Sequence, residues 1–338
     1  MPKIHFFTPQ DNTSPKTDLP PLNPKKTYRL TNWPDYNKAL IQRGAITLWF
    51  NEQTLAEWYY QGPRLPGGIY RYSDTCIQCI LSIKAVLNLA FRQTQGLIYS
   101  LFQVMRLQLQ PPSYTQLCRR QAKLMSAFEP PKCPLDCNRS LHLVVDSTGL
   151  KVFGEGEWKV RKHGAGKRRT WRKLHLAVDE ATNNIHAVEL TTNAVSDAQM
   201  VKPLLTTIKQ PIAKLAGDGA YDQVKIYNLL AQREIQPLIP PRVNAAVWTD
   251  KERNALTHPR NEALTQIDKV GLVDWKKQIG YHRRSLAETA MFRWKTIFGT
   301  RLSTRLFSHQ KIEARIKAYC LNRFTQLGMP KVEIKNSN

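Results

Sequence analysis

Two hydrophobic rhythms divide this chain. Between residues 73 and 128 apolar side chains recur every three to four positions, the spacing of helices seated on a core. Asp74–Leu87 puts Cys76, Ile80, Ile83 and Leu87 on one face, with Ser73 as its N-cap. A second helix is predicted over about Leu89–Leu107, and a third, Tyr114–Phe128, opens after Pro111-Pro-Ser113. Upstream, Asp35–Phe50 and Glu52–Tyr60 have helical spacing and supply Trp49, Phe50, Leu55, Trp58 and Tyr59 to a small aromatic core. Gly62-Pro-Arg-Leu-Pro-Gly-Gly68 interrupts them. From Leu141 the rhythm changes to short dense runs of strand type, at Leu141–Asp146, Trp171–Asp179, Ile185–Thr192, Ala213–Asp218 and Pro237-Leu-Ile-Pro240.

Helical segments fall between these runs, at Asp197–Ile208 and Asp222–Glu234, and two more follow at Tyr281–Lys295 and Leu302–Phe324. Residues 243–280 are polar and irregular and are expected to decorate the surface. Three consecutive strands followed by alternating elements predict a mixed α/β sheet with helices on its faces, the order of an RNase H-like domain. The expected organisation is a flexible basic arm over residues 1–30, an all-α DNA-binding region over 31–130, and an RNase H-like domain over 138–328 carrying the insert.

Charge sharpens this outline. Lys and Arg number 50 against 26 Asp and Glu, a net +24. Such a surplus points to a polyanionic partner, nucleic acid before a membrane surface; the plainer alternative is a basic protein associated with ribosomes or lipid. Met1–Lys16 lacks the apolar core of a signal peptide, and Thr75–Met105 is broken by Lys84 and Arg92 before it could span a bilayer, so a soluble cytoplasmic protein is expected. Cys76 with Cys79 and Cys133 with Cys137 have spacings that zinc could use, but the first pair lies on an apolar helical stripe, and reduced, buried thiols are the preferred reading. The third helix carries Gln116, Arg119, Arg120, Gln121 and Lys123, and with its two predecessors reads as helix-turn-helix-like. A solvated helix face is the alternative.

The candidate chemistry rests on three acids. Asp146 ends the first strand run, Asp218 ends the fourth, and Glu288 lies on the helix after the insert. Sites of open α/β sheets gather at strand ends. Carboxylates of this kind hold hard cations such as Mg²⁺, and a pair of them about 3.5–4 Å apart serves phosphoryl transfer. A single strand-end Asp is usually a turn or cap residue, and Asp179 and Asp222 are assigned to that class. Around Glu288, however, Tyr281, Arg284 and Lys295 stand at offsets of −7, −4 and +7, within one stripe of a helix, and no other acid occurs between Asp274 and Glu313. Ala287, Met291, Trp294 and Phe298 form the adjoining apolar stripe. A second basic feature, Arg161-Lys-His-Gly-Ala-Gly-Lys-Arg-Arg-Thr-Trp-Arg-Lys173, contains no acid and is expected to grip backbone phosphates through Arg161, Lys162, Lys167, Arg168, Arg169, Arg172 and Lys173.

These segments resemble a known family. Leu143-Val-Val-Asp146-Ser-Thr-Gly-Leu-Lys151, Arg172-Lys-Leu-His-Leu-Ala-Val-Asp179, Leu215-Ala-Gly-Asp218-Gly-Ala-Tyr-Asp222 and Tyr281…Arg284…Glu288…Lys295 are similar to bacterial insertion-sequence transposases of the DDE superfamily with a Y-R-E-K signature. Asn32-Trp-Pro-Asp-Tyr36 and Ser113-Tyr-Thr-Gln-Leu-Cys-Arg-Arg120 extend the likeness toward the N-terminus. The resemblance implies a catalytic and metal-binding triad of Asp146, Asp218 and Glu288, served by two Mg²⁺ ions or by Mn²⁺. It also implies binding of terminal inverted repeats, hydrolysis at the element's ends, joining of the 3′-hydroxyl to target DNA, and at least a dimer to bring two ends together. Tyr281, Arg284 and Lys295 are then contacts to DNA, joined by Arg119 and Arg120 of the third helix. The rivals are an RNase H-like nuclease without strand transfer and a non-catalytic DNA-binding derivative.

Overall fold

The strand runs assemble into one five-stranded sheet, and a helical layer closes each of its faces. The computed structural model describes residues 27–64, 70–124, 139–152, 171–242, 244–249 and 257–335. Its strands are β1 (Thr27–Leu30), β2 (Leu141–Lys151), β3 (Trp171–Asp179), β4 (Ile185–Thr192), β5 (Ile212–Ala216), β6 (Gln236–Leu238) and β7 (Val332–Lys335). Its helices are α1 (Trp33–Gln42), α2 (Glu52–Ala56), α3 (Asp74–Val86), α4 (Phe91–Val104), α5 (Tyr114–Gln121), α6 (Val201–Thr207), α7 (Val224–Ala231), α8 (Pro259–Val270), α9 (Leu272–Gln278), α10 (Ser285–Phe298) and α11 (Phe307–Leu327). The sheet order is β4-β3-β2-β5-β6. β2, β3 and β4 are antiparallel neighbours, while β5 and β6 add in parallel on the other side of β2. This is the RNase H-like arrangement of a mixed sheet.

Alternation along the strands explains the two layers. Leu141, Leu143 and Val145 of β2, with Ala177, Ala187 and Leu215, face α6 and α7, whose Val201, Leu204, Leu205, Ile226 and Leu230 complete that core. Leu150, Leu174, Leu176, Val178, Val188 and Leu190 face the opposite way, onto Met291, Trp294 and Phe298 of α10 and Ile312, Ile316 and Leu321 of α11. Buried on both sides, β3 reads as a nearly continuous apolar run. Helix α11 also covers the sheet edge: the Asn322 amide donates to the Ile185 carbonyl at 2.8 Å and accepts from the Ile185 N–H at 2.7 Å, satisfying backbone groups of an edge strand.

The second core does not stop at the sheet. Cys76, Ile77, Ile80 and Ile83 of α3, Ile98 and Phe102 of α4 and Leu117 of α5 belong to the same cluster as α10 and α11. Helices before the expected boundary therefore share their core with the sheet after it; the boundary itself, at 130–138, lies outside the described residues. Cys76, Cys79 and Cys320 are buried free thiols, and burial pushes all three up, Cys320 to about 12. Cys133 and Cys137 lie outside the described residues. No single described helix is long and apolar enough to cross a membrane.

Several element boundaries differ from the sequence expectation. β2 continues five residues beyond Asp146, because Ser147, Thr148 and Gly149, turn-like in sequence, pair with His175, Leu174 and Lys173 of β3. Residues 259–278 of the insert form α8 and α9, anchored by Arg260, Asn261 and Trp275, which are buried. The helix expected over Tyr281–Lys295 begins only at Ser285; Tyr281–Arg284 form a 3-10 turn entered through Gly280 at φ 71°. β1 and β7 pair antiparallel at the two ends of the described chain, an association between segments too short and too distant to be read from pattern.

Candidate active site

The parallel ladder between β2 and β5 sets two of the three acids. Its last paired residues are Val144 and Ala216. Asp146 and Asp218 each follow two positions later, so both side chains leave the same face as that pair. Asp146 remains paired with Leu176 of β3, and so stands within β2 rather than at its end. Asp218 lies beyond β5, where its Oδ1 accepts from the Ala220 N–H at 2.9 Å and caps a short 3-10 turn.

Beneath the acids, Val144, Ala216, Leu238 and Ala287 form a small buried cluster. Ala216 and Ala287 carry only a methyl group each, which lets α10 approach the sheet closely. Ala287 is fully buried and its neighbour Glu288 is exposed, so docking the alanine aims the glutamate along the rim where Asp146 stands. Met291, Trp294 and Phe298 fix the rest of the same helix in the core, as their spacing predicts.

Arg284 joins two of the acids. Its Nη1 donates to Asp146 Oδ2 at 3.3 Å, and its Nη2 donates to Glu288 Oε1 one helical turn later. Burial pushes the Asp146 carboxyl above its ordinary range and the charges of Asp218 and Glu288 add to this, while the Ser147 N–H and Arg284 pull it down. Burial likewise raises the Tyr281 phenol, and Asp218, Asp146 and Glu288 push it the same way against Arg284; Lys276 lies 5.3 Å from its ring centre. Asp146, Asp218, Tyr281, Arg284 and Glu288 thus share one electrostatic neighbourhood. Among the described residues no three or more His, Cys, Asp and Glu are already arranged to hold a metal ion.

The turn after Asp218 is held by Gly217, Arg242 and Asp222, and through Asp222 by Arg260. A Cβ on Gly217 would come within 2.7 Å of the Tyr221 ring, so only glycine allows that ring to lie against the strand end. Arg242 Nε donates to the Gly219 carbonyl at 2.9 Å. Asp222 accepts from Arg260 Nε at 2.7 Å, from Arg260 Nη2 at 3.3 Å and from the Arg242 N–H at 3.0 Å. This buried pair ties α8 of the insert to the turn that carries Asp218. Asp179, by contrast, closes its own β-turn by accepting from the Thr182 N–H and hydroxyl, and pairs with Arg139 at 2.7 Å.

The expected phosphate contacts are distributed unevenly. Lys295 is half-buried on the stripe of Arg284 and Glu288. Arg172 is half-buried, donating to Gln310 at 3.0 Å with its guanidinium 4.9 Å from the Phe307 ring centre, and Lys173 pairs with Asp197 at 3.2 Å. Arg161, Lys162, Lys167, Arg168 and Arg169 lie outside the described residues. Arg119 is exposed on α5. Arg120 is a correction: it is 8% exposed, pairs with Asp74, donates to the Tyr72 carbonyl at 2.7 Å and stacks 3.8 Å from the Tyr70 ring centre. Leu117 and Gln121 turn inward on the same face, so the helical stripe that looked polar is partly core. Helices α3 and α4 meet at 111°.

Residues 138–323 match a family described as transposase DDE domain, and residues 41–155 match a second family of the same description. Among solved structures the chain is similar to piggyBac transposase in a cryo-EM synaptic complex with hairpin DNA. The identity is 12% and the TM-score 0.37, with 88% of this chain and 77% of that chain covered.

Proposed function

The chain belongs to the DDE transposase family, and from that premise we propose that Asp146, Asp218 and Glu288 are its catalytic carboxylates, acting on the ends of a mobile DNA element. The observation that carries this reading is the register Val144 with Ala216, which sends Asp146 and Asp218 out of one sheet face beside the helix bearing Glu288.

The donor set suits a divalent cation. All three groups are carboxylates, the oxygen ligands that Mg²⁺ and Mn²⁺ prefer, and Asp146 and Glu288 are close enough for one cationic side chain to bond both. Bound there, one or two such ions supply the Lewis acidity that activates an attacking oxygen and stabilises the leaving one in phosphoryl transfer. The protein's part is to hold the acids on rigid elements, Asp146 within β2, Asp218 beyond β5 and Glu288 on α10, so that attacking and leaving oxygens stay in line. Tyr281 lies against the acids and offers a hydroxyl and a ring face to a nucleotide at the cut. Arg284 and Lys295, with the basic segment from Arg161 to Lys173, neutralise backbone phosphates, and Arg119 adds a contact on the exposed face of α5.

In this reading the protein binds the terminal inverted repeats of its element, hydrolyses the strand at each end, and uses the resulting 3′-hydroxyl to attack target DNA in the same site. Two ends require two active sites, hence a homodimer on double-stranded DNA. The test is a strand-joining assay with purified protein, Mg²⁺ and oligonucleotides carrying the inverted repeats that flank its gene. Joined products support the proposal. Nicking without joining indicates a nuclease, and binding without cleavage indicates a DNA-binding derivative; either sinks it.

A further inference from the structure

Arg284 commits its two terminal nitrogens to two acids from different elements, Asp146 of β2 and Glu288 of α10. We propose that Arg284 is a resident counter-ion of these carboxylates and that a divalent cation has to displace it before it can bind them. The proposal rests on the assignment of Asp146, Asp218 and Glu288 as the metal-holding acids, and adds a competition that the assignment alone does not require.

Neighbouring carboxylates, here a half-buried Asp146 and an exposed Glu288, repel one another, and a guanidinium bonded to both relieves that repulsion in the folded protein. The oxygens it uses, Asp146 Oδ2 and Glu288 Oε1, are among those a hard cation would take. Two positive groups crowded on one pair of oxygens repel, so the arginine-bonded and metal-bonded arrangements exclude each other. The exchange is mechanically simple. Arg284 is the last residue of the 3-10 turn leading into α10, its side chain is 22% exposed, and it sits one helical turn before Glu288. Released from the acids, it needs only side-chain rotation to stay on the stripe it shares with Lys295, where a backbone phosphate would meet it. A phosphate that draws the guanidinium away and a metal that replaces it therefore assist each other, by reciprocal linkage.

The test is Mn²⁺ binding to the full chain without DNA, followed by electron paramagnetic resonance titration. Arg284→Gln and Arg284→Met should bind Mn²⁺ about tenfold more tightly than the wild type, since the competing charge-assisted bonds are gone. Arg284→Lys should stay within about twofold, because it keeps a competing ammonium in reach. Lys276→Gln removes a cation that lies beside Tyr281 and forms no ion pair with the three acids among the described residues. It too should stay within about twofold, because a charge that makes no ion pair with the acids is screened from them far more than a bonded guanidinium is. Unchanged or weaker binding in both Arg284→Gln and Arg284→Met overturns the proposal, and so does equal tightening in Lys276→Gln. Asp146→Asn separates the two levels. If it leaves Mn²⁺ affinity untouched, the metal assignment itself fails; if it weakens binding while the Arg284 variants do not tighten it, only the counter-ion role fails.

Discussion

Asp146 and Asp218 share one parallel register: each lies two positions beyond Val144 and Ala216, the last residues that β2 and β5 pair, and the charge of Asp218 bears on Asp146. The same face then descends through Val144 and Ala216 to Ala287, the residue before Glu288. Position on the sheet and position on α10 are thus linked through Val144, Ala216, Leu238 and Ala287, and that link can be broken without touching an acid.

Ala287→Leu should do so. Ala287 is fully buried against Val144 and Ala216, and three extra carbons there force α10 off the sheet at a cost of about 1–3 kcal/mol. A displacement near 1 Å at Glu288 should lower strand joining by roughly a hundredfold, well beyond the loss of folded protein. Urea denaturation together with the joining rate checks this. A stable variant that joins at the wild-type rate contradicts the docking argument.

Arg119 and Arg120, adjacent on α5, should behave oppositely. Arg120→Ala strands the Tyr72 carbonyl and removes the partner of Asp74, so about 1–3 kcal/mol of stability should be lost while the salt dependence of DNA binding stays as it is. Arg119→Ala should leave stability unchanged and reduce the salt slope by about 1. Thermal melting and DNA titration over a range of salt concentrations read both effects; the reverse assignment of losses would put Arg120 back on the DNA.

The Asp222–Arg260 pair is buried, with side chains 2% and 5% exposed. Removing one partner leaves the other charge uncompensated. Arg260→Met should therefore cost about 3–5 kcal/mol, and adding Asp222→Asn should restore part of it. Chemical denaturation of the single and double variants measures the coupling. Additive losses would show that the two side chains do not act as a pair.

His175 supplies a pH signature. It is fully buried on β3, its Nε2 meets the Thr191 hydroxyl at 2.8 Å, and burial pushes its pKa down to about 4 against the influence of Asp197. Between about pH 6.5, the usual histidine value, and pH 4 the unfolded chain binds this proton and the folded chain does not. Stability then rises with pH across the window and is lost on acidification. His175→Gln should flatten that part of the stability curve, leaving the contribution of His186, whose pKa burial also lowers. A curve of unchanged slope would mean that His175 already carries a proton in the folded state.

Much of this architecture was legible in the sequence, and the exceptions share a cause. The bounds of β3 and β4 follow from their dense apolar runs and the Asn-containing turn between them, and the buried stripe of α10 follows from Ala287, Met291, Trp294 and Phe298. What pattern could not supply was partnership between distant segments. Ser147-Thr-Gly149 resembles a turn until β3 is placed beside it. Arg120 has the sequence context of a DNA contact until Asp74 and Tyr70 close over it. Asp222 resembles a cap until Arg260 arrives from the insert 38 residues later. Arg284 was expected beside Glu288 from helical spacing, but its bond to Asp146 depends on how α10 meets the sheet. The glycine of Leu215-Ala-Gly-Asp218 is one signal that could have been read further, since a small residue next to a site acid implies a close neighbour, here the Tyr221 ring.

The most direct measurement of the central claim is strand joining by Asp146→Asn, Asp218→Asn and Glu288→Gln, with Asp274→Asn, an exposed acid on α9, as the control. Each triad variant should keep its fold and its binding to the element's ends while joining falls by at least about a thousandfold, and the control should join at the wild-type rate. Joining at the wild-type rate by any one of the three folded triad variants would remove that residue from the catalytic set and contradict the account.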